Sequence, residues 1–170
     1  RFTCTEEGRI CSERQCHYVR PVAFGLLSEG EAAQAVEDLA ALVAQNGYHL
    51  NTGFLSTPFL CQVLADHGHV DTAYRLLLQE DCPGWLYPVR KGATTIWEAW
   101  DGIRADGTVR DSFNHYTFGA ISGWLLRGVC GIRLAAGQLT LCPRPHRALG
   151  YAKARWDSPV GAIASAWRYE

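Results

Sequence analysis

The stretch Ser28–Gly47 reads SEGEAAQAVEDLAALVAQNG and predicts the clearest helix of the chain. Ser28 is followed three residues later by Glu31, which is the capping-box pattern of a helix start. Apolar residues then recur on one helical face, namely Ala32, Ala35, Val36, Leu39, Leu42 and Val43. Asn46-Gly47 ends the pattern. Because this apolar face must be buried, we expect further helices to pack against it.

Helical patterns lie on both sides of this stretch. Residues 13–27 carry apolar positions at helical spacing, with Pro21 as a possible site of a kink. Thr57-Pro58 is typical of a helix start, with Thr57 as the cap. The predicted buried positions of the later helices are Phe59, Leu60, Val63 and Leu64, then Ala73, Tyr74 and Leu77, then Phe118, Ile121, Leu125 and Val129. About six helices joined in pairs favour a helical toroid or solenoid, and six such helices would make roughly half of a twelve-helix, double-layered barrel.

The pattern changes to a period of two near residue 134. The alternating positions are Leu139 and Leu141, then Ala152, Ala154 and Trp156, then Ile163, Ser165 and Trp167. Residues 157–161, DSPVG, are typical of a hairpin loop. The fold class is therefore mainly α, with helices in residues 1–133 and a short C-terminal β-sandwich segment in residues 134–170. The first dozen residues are predicted to form a loop.

Composition narrows the possible partners. Apolar residues make up 48% of the chain and charged residues 19%, and the net charge is −1. Basic residues form no run longer than Arg90-Lys91, so we expect no nucleic-acid partner. The apolar runs are too short to span a bilayer, so no membrane partner is expected either. The chain contains no Met, and we expect it to be part of a longer or processed polypeptide.

The seven cysteines are odd in number and form no C-x-x-C pair. This pattern favours reduced thiols and a cytoplasmic location, with a secreted or periplasmic protein as the alternative. His67-Gly68-His69 has no nearby carboxylate triad and is explained by a helix that ends at Gly68. We expect neither a metal nor a cofactor.

The strongest candidate site is Gly92–Asp101, GATTIWEAWD. Glu98 lies between Trp97 and Trp100, and indole rings beside one carboxylate are typical of a sugar-binding pocket. The structural alternative is that Thr95-x-x-Glu98 is a capping box at a helix start.

Other candidates lie on predicted loops, where binding residues concentrate: Trp85, Tyr87, Asp101, Asn114 and His115. Each has a structural alternative. Trp85 and Tyr87 are suited to anchor their loop, Asn114 and His115 to cap a helix, and Asp101 to form a turn. Convergence of three such clusters favours a binding site.

Glycoside hydrolysis needs two carboxyl groups on opposite sides of the bond that breaks. One carboxyl group acts as general acid and the other as general base, and Glu98 suits either role. Asp101 follows it by only three residues, so we expect both to lie on the same side. The second carboxyl group is therefore not found by this reasoning.

Three strings and a C-terminal segment closely resemble the C-terminal half of the catalytic domain of bacterial α-L-rhamnosidases, glycoside hydrolase family 78, and the segment that follows it. They are NTGFLSTPFL, PGWLYPVRKGATTIWEAWDG, SFNHYTFGAISGWLLRGVCGI and GQLTLCPRP…ARWDSPVGAIASAW. The resemblance implies an (α/α)6 barrel followed by a small β-sandwich, and an inverting hydrolase that releases terminal α-L-rhamnose. It implies that Glu98 is the general base and that His115 binds the sugar, with Trp97, Trp100 and Asp101 in the pocket wall.

The chain departs from the family pattern at several positions. Ala99 stands where members often have Arg, Ser56 where they commonly have Gly, and Gly84 where they commonly have Ser. The resemblance also implies that the general acid lies in the N-terminal half of the barrel, outside this sequence. We therefore expect these 170 residues alone to show negligible hydrolysis, since proton transfer contributes about 10²–10⁴-fold to the rate.

Two classes of function remain open. The first is the general-base half of an α-L-rhamnosidase that acts on a rhamnose-containing oligosaccharide or glycoside, including the variant in which the same barrel cleaves another sugar. The second is a non-catalytic carbohydrate-binding or assembly module derived from such a glycosidase. Half a barrel leaves apolar helix faces uncovered, so we expect them to bind the missing N-terminal half or to form a dimer.

Overall fold

The computed structural model describes residues 9–159 and 161–170, so Cys4 and most of the predicted N-terminal loop lie outside the described residues. The described chain contains six α-helices and four strands. They are α1 (Gln15–Ala23), α2 (Glu29–Gln45), α3 (Thr57–Asp66), α4 (Val70–Leu77), α5 (Leu86–Arg90), α6 (Ile121–Trp124), β1 (Ile132–Ala135), β2 (Gln138–Leu141), β3 (Tyr151–Ser158) and β4 (Gly161–Arg168). The mainly α fold with C-terminal strands is confirmed.

The chain forms two compact units, Arg1–Ala120 and Ile121–Glu170. The predicted domain boundary after residue 133 falls inside the second unit. In the described residues, no helix has the length and apolar character needed to cross a bilayer. The six described cysteines are all free thiols.

Helix α2 begins at the predicted capping box. The Glu31 backbone N–H donates to Ser28 Oγ at 3.5 Å, and the Ser28 N–H donates to Glu31 Oε2 at 2.9 Å. The Ser28 hydroxyl also donates to Glu31 Oε2 at 2.7 Å, and this bond together with the one from the Ser28 N–H lowers the pKa of Glu31 below its ordinary value. The buried face of the helix is Ala35, Val36, Leu39, Ala40 and Val43.

Helix α1 contains Pro21, as predicted, and begins at a fully buried glutamine. Gln15 Nε2 donates to the His49 carbonyl at 2.9 Å, and Gln15 Oε1 accepts from the Asn51 N–H at 2.9 Å. A buried amide needs such partners, because an unpaired buried polar group is costly. Gln15 therefore fastens the loop before α3 to the start of α1.

Two details predicted for α3 are wrong. The helix cap is Ser56 rather than Thr57, whose buried hydroxyl instead lies 2.8 Å from Thr52 Oγ1 and donates to the Gly53 carbonyl at 2.9 Å. Phe59 is 36% exposed, because the buried face of the helix turns around Leu60, Cys61 and Leu64.

The loop predicted to carry Trp85 and Tyr87 contains the short helix α5, and Trp85 is its N-terminal cap residue. The segment predicted as one long helix after His115 instead combines a 3-10 helix (Thr117–Ala120), α6 and a π-helix (Leu125–Val129). Phe118, Ile121 and Val129 are buried as predicted, but these helix types differ in residues per turn, so a uniform spacing fails at Leu125. Leu125 is accordingly exposed and Trp124 buried.

The C-terminal strands form two antiparallel hairpins, β1–β2 and β3–β4. Ala152 pairs with Trp167, Ala154 with Ser165 and Trp156 with Ile163, which are the alternating positions predicted from the sequence. The predicted hairpin loop is shorter than expected, because residues 157, 158 and 161 still pair; its Val160 lies outside the described residues. The Trp167 indole N–H donates to the Val129 carbonyl at 2.8 Å.

Candidate active site

Two segments of the first unit lie antiparallel and carry the candidate residues. The Glu98 backbone N–H donates to the Ser112 carbonyl at 2.9 Å, and the His115 N–H donates to the Ile96 carbonyl at 2.8 Å. The chain between them turns back on itself through an antiparallel bridge of Ile103 with Val109. The segment that contains Glu98 is therefore paired like a strand, and residues 92–101 contain no helix.

The capping box predicted as an alternative at Thr95 is wrong. Thr95 Oγ1 donates to the Phe113 carbonyl, so its hydroxyl caps no helix. The Glu98 side chain accepts the Ser112 backbone N–H at Oε2, at 3.1 Å. Glu98 is half-buried, and Oε1 has no hydrogen-bond partner among residues 9–159 and 161–170. The backbone thus orients the carboxylate and leaves one oxygen for a ligand.

Trp97 lies in the interior beneath this segment. It is 4% exposed, and its ring stacks on Phe113 with centroids 4.7 Å apart. A Cβ atom added to Gly102 would lie 2.8 Å from the Trp97 ring, so the glycine permits this close packing. Burial of this kind favours a supporting role for Trp97 and does not favour the predicted contact with substrate.

Trp85 and Trp100 belong to one aromatic cluster centred on Phe118. Trp100 stacks on Phe118 at 3.7 Å between centroids and meets Trp85 edge-on at 5.6 Å. The buried Trp85 ring donates its N–H to the Phe118 carbonyl at 3.1 Å, which agrees with the structural alternative of a loop anchor. Trp100 instead borders a cleft of about 500 Å³, whose other lining residues are Arg14, Cys16, Leu50, Asn51, Thr52 and Gly53.

His115 lies at the end of the strand-like pair. Its Nδ1 accepts the Thr117 backbone N–H at 3.4 Å, so the imidazole itself caps the following 3-10 helix. Asn114 is exposed, and its backbone N–H donates to Ser112 Oγ at 3.1 Å. The Ser112 hydroxyl therefore fixes the backbone that leads to the histidine.

Asp101 forms ion pairs with two arginines of the turn that follows it. Its carboxylate lies 3.4 Å from Arg104 Nε and 3.2 Å from Arg110 Nε. These pairs fasten the base of the turn that separates the two site segments, as in the structural alternative. Tyr87 donates to the Ile103 carbonyl at 2.6 Å, and burial, with smaller contributions from Cys82 and Asp101, raises the pKa of its hydroxyl.

Sequence reasoning missed Phe54. Its ring stacks on the His115 imidazole at 5.1 Å and meets Phe118 edge-on at 5.3 Å. The available signal was an aromatic residue directly after the polar string Asn51-Thr52-Gly53, a place where burial in a core is not expected. The structure thus connects Trp100 to His115 through the rings of Phe118 and Phe54, and it pairs Glu98 with Ser112. Trp97 and Trp85 are buried against other aromatic rings, and Asp101 is paired with arginines.

A family model described as the bacterial alpha-L-rhamnosidase 6 hairpin glycosidase domain matches residues 1–129. The chain belongs to this family.

Curated relatives in this family match nearly the whole chain. The chain is 38% identical to an alpha-L-rhamnosidase of Streptomyces avermitilis over 169 residues, which is 95% of the chain and 16% of the relative. It is 39% identical to an alpha-L-rhamnosidase of Formosa agariphila over 160 residues, or 90% of the chain and 17% of the relative. The chain therefore spans about a sixth of the length of these rhamnosidases.

Solved rhamnosidase structures share the fold. The crystal structure of the Streptomyces avermitilis alpha-L-rhamnosidase complexed with L-rhamnose matches with a TM-score of 0.91 and 36% identity, over 99% of this chain and 17% of that one. The native enzyme from Aspergillus terreus matches with a TM-score of 0.85 and 29% identity, over 98% and 20%. The predicted relation to the helical barrel of this family is confirmed by these matches.

Proposed function

We propose that this chain supplies the general-base half of an inverting glycoside hydrolase that releases terminal α-L-rhamnose. Family membership supports the reaction class, because the relatives are named alpha-L-rhamnosidases. The observation that carries the proposal is the Glu98 carboxylate, held at Oε2 by the Ser112 N–H and unbonded at Oε1 within the described part of the chain.

Glu98 acts as the base that activates water. Oε1 takes a proton from the water, whose oxygen bonds to the anomeric carbon on the face opposite the leaving group. The glycosidic C–O bond breaks as a general acid protonates the leaving oxygen. That acid belongs to the remainder of the barrel, so the 170 residues alone are inactive. The product is β-L-rhamnose, because the configuration inverts.

His115 and Trp100 bind the sugar beside Glu98. With Nδ1 accepting from Thr117, a neutral imidazole carries its proton on Nε2, which makes Nε2–H a donor to a sugar hydroxyl. Trp100 covers the apolar face of the ring from the edge of the cleft. The Asn114 amide, which is exposed, binds a second hydroxyl.

The first unit, Arg1–Ala120, binds the rest of the barrel through its exposed apolar residues. Phe24, Leu26 and Leu55 are large, exposed and apolar, as expected for a surface that another helical layer covers. The same surface explains why we expect the isolated chain to dimerise.

The test is Glu98→Gln in the longer protein that carries this chain. Turnover of an aryl α-L-rhamnoside should fall by about 10²–10⁴-fold, because the amide cannot accept the proton. Glu37→Gln is the matched control, since Glu37 is exposed on α2 and pairs with His69. Near-normal turnover by Glu98→Gln refutes the assignment. Wild-type protein that binds L-rhamnose without turnover supports the non-catalytic module instead.

The stereochemistry and the substrate have separate tests. Proton NMR of the first product should show β-L-rhamnose, and α-L-rhamnose would refute inversion. A panel of nitrophenyl glycosides should show rhamnoside cleavage above all others, and a preference for another sugar would refute the substrate class.

A further inference from the structure

Phe54 is an aromatic side chain that remains 41% exposed and yet makes two defined ring contacts. Its ring is nearly parallel to the His115 imidazole, with an interplanar angle of 19° and centroids 5.1 Å apart. Its edge contact with Phe118, at 5.3 Å and 62°, connects it to the aromatic cluster below. Phe54 therefore lies between an interior cluster and the imidazole.

The imidazole has few other restraints. Its Nδ1 accepts one long hydrogen bond from the Thr117 N–H, at 3.4 Å. The other stacked ring is that of Tyr116, which is 86% exposed and adjacent in the chain. Among the described residues, Phe54 alone stacks on His115 with a ring that itself packs against the interior aromatic cluster. The stack fixes the plane of the imidazole, and that plane sets the direction of Nε2–H.

The loop that holds Phe54 is itself well anchored. The Thr57 hydroxyl donates to the Gly53 carbonyl at 2.9 Å, and the Ser56 N–H donates to the same carbonyl at 3.1 Å. Gln15 binds the backbone of Asn51 at 2.9 Å. Because the loop is tied at both ends, the Phe54 ring has a fixed position from which to orient its neighbour.

We propose that Phe54 is a positioning residue that aligns His115 for the sugar, an inference that rests on the function proposed above. A competing role is that Phe54 itself stacks on the ligand. The two roles differ in whether the effect of Phe54 depends on His115. A positioning residue affects the rate only while the imidazole is present, whereas a residue that stacks on the ligand affects it in either case.

The test is a double-mutant cycle of Phe54→Leu and His115→Gln in the longer protein, with kcat/KM on an aryl α-L-rhamnoside as the readout. Leucine keeps an apolar side chain and removes the flat ring. An aromatic stack of this kind corresponds to about a 2- to 12-fold effect on the rate. We expect that loss from Phe54→Leu in the wild type, no further loss in the His115→Gln background, and recovery in Phe54→Tyr.

Tyr151→Leu is the control, because Tyr151 is an exposed aromatic residue on β3 and lies outside both the candidate site and the apolar surface proposed to bind the rest of the barrel. It should leave kcat/KM unchanged. An equal loss from Phe54→Leu in both backgrounds overturns the positioning role, and so does unchanged activity in Phe54→Leu while the wild type is active. A wild-type protein that hydrolyses no rhamnoside overturns the proposed function and this inference with it.

Discussion

Trp85 and Trp100 lie in one aromatic cluster and differ in the hydrogen bonding of their indole N–H groups. The Trp85 indole N–H donates to the Phe118 carbonyl at 3.1 Å. The Trp100 N–H is buried and has no hydrogen-bond partner within the described residues. Trp85→Phe and Trp100→Phe therefore remove the same atoms from neighbouring rings. The N–H that Trp85→Phe removes has a hydrogen-bond partner, whereas the N–H that Trp100→Phe removes has none within the described residues.

The expected difference in the free energy of unfolding follows from those two environments. Both variants lose the same side-chain volume, so most of the destabilisation caused by lost packing cancels when the two are compared. Trp85→Phe loses a hydrogen bond with a net value of about 0.5–1.5 kcal/mol. Trp100→Phe removes an unpaired buried donor, which relieves a penalty of about 1–3 kcal/mol. We expect Trp85→Phe to be the less stable variant by about 1.5–4.5 kcal/mol.

The assay is urea unfolding of the two variants and the wild-type chain, followed by far-ultraviolet circular dichroism because the tryptophan signal itself changes. The midpoint and the slope are compared so that a change in the compactness of the unfolded state is detected. Equal stabilities, or a lower stability for Trp100→Phe, would refute the reasoning that hydrogen bonding separates the two rings.

Two further predictions concern titratable groups. Because hydrogen bonds from Ser28 lower the pKa of Glu31, their stabilisation is present above about pH 4.5 and is lost as the pH falls through the lowered pKa. The Tm difference between wild type and Ser28→Ala should therefore shrink from pH 6 to pH 3, and a constant difference would contradict the capping box. Burial raises the pKa of the Cys61 thiol, so timed alkylation followed by mass spectrometry should modify exposed Cys11 well before Cys61; equal rates would contradict the burial.

The candidate site shows where local pattern reasoning succeeds and fails. Ser28-x-x-Glu31 and Thr95-x-x-Glu98 have the same spacing, yet only the first is a capping box. Glu31 bonds within its own helix turn, whereas Glu98 bonds to Ser112, which lies 14 residues further along the chain. A capping box formed by residues three apart can be predicted from the sequence. The same spacing does not reveal that a distant residue, such as Ser112, binds the glutamate instead.

The sequence by itself determined the helices with a periodic apolar face, the start of α2 and the facing positions of β3 and β4. These features depend on hydrogen bonds and burial over a few residues, which spacing records directly. The tertiary structure alone decided that Trp97 is interior while Trp100 borders the cleft, and that Phe54 stacks on His115. Those outcomes depend on which distant segments meet, because packing selects the face that each ring exposes.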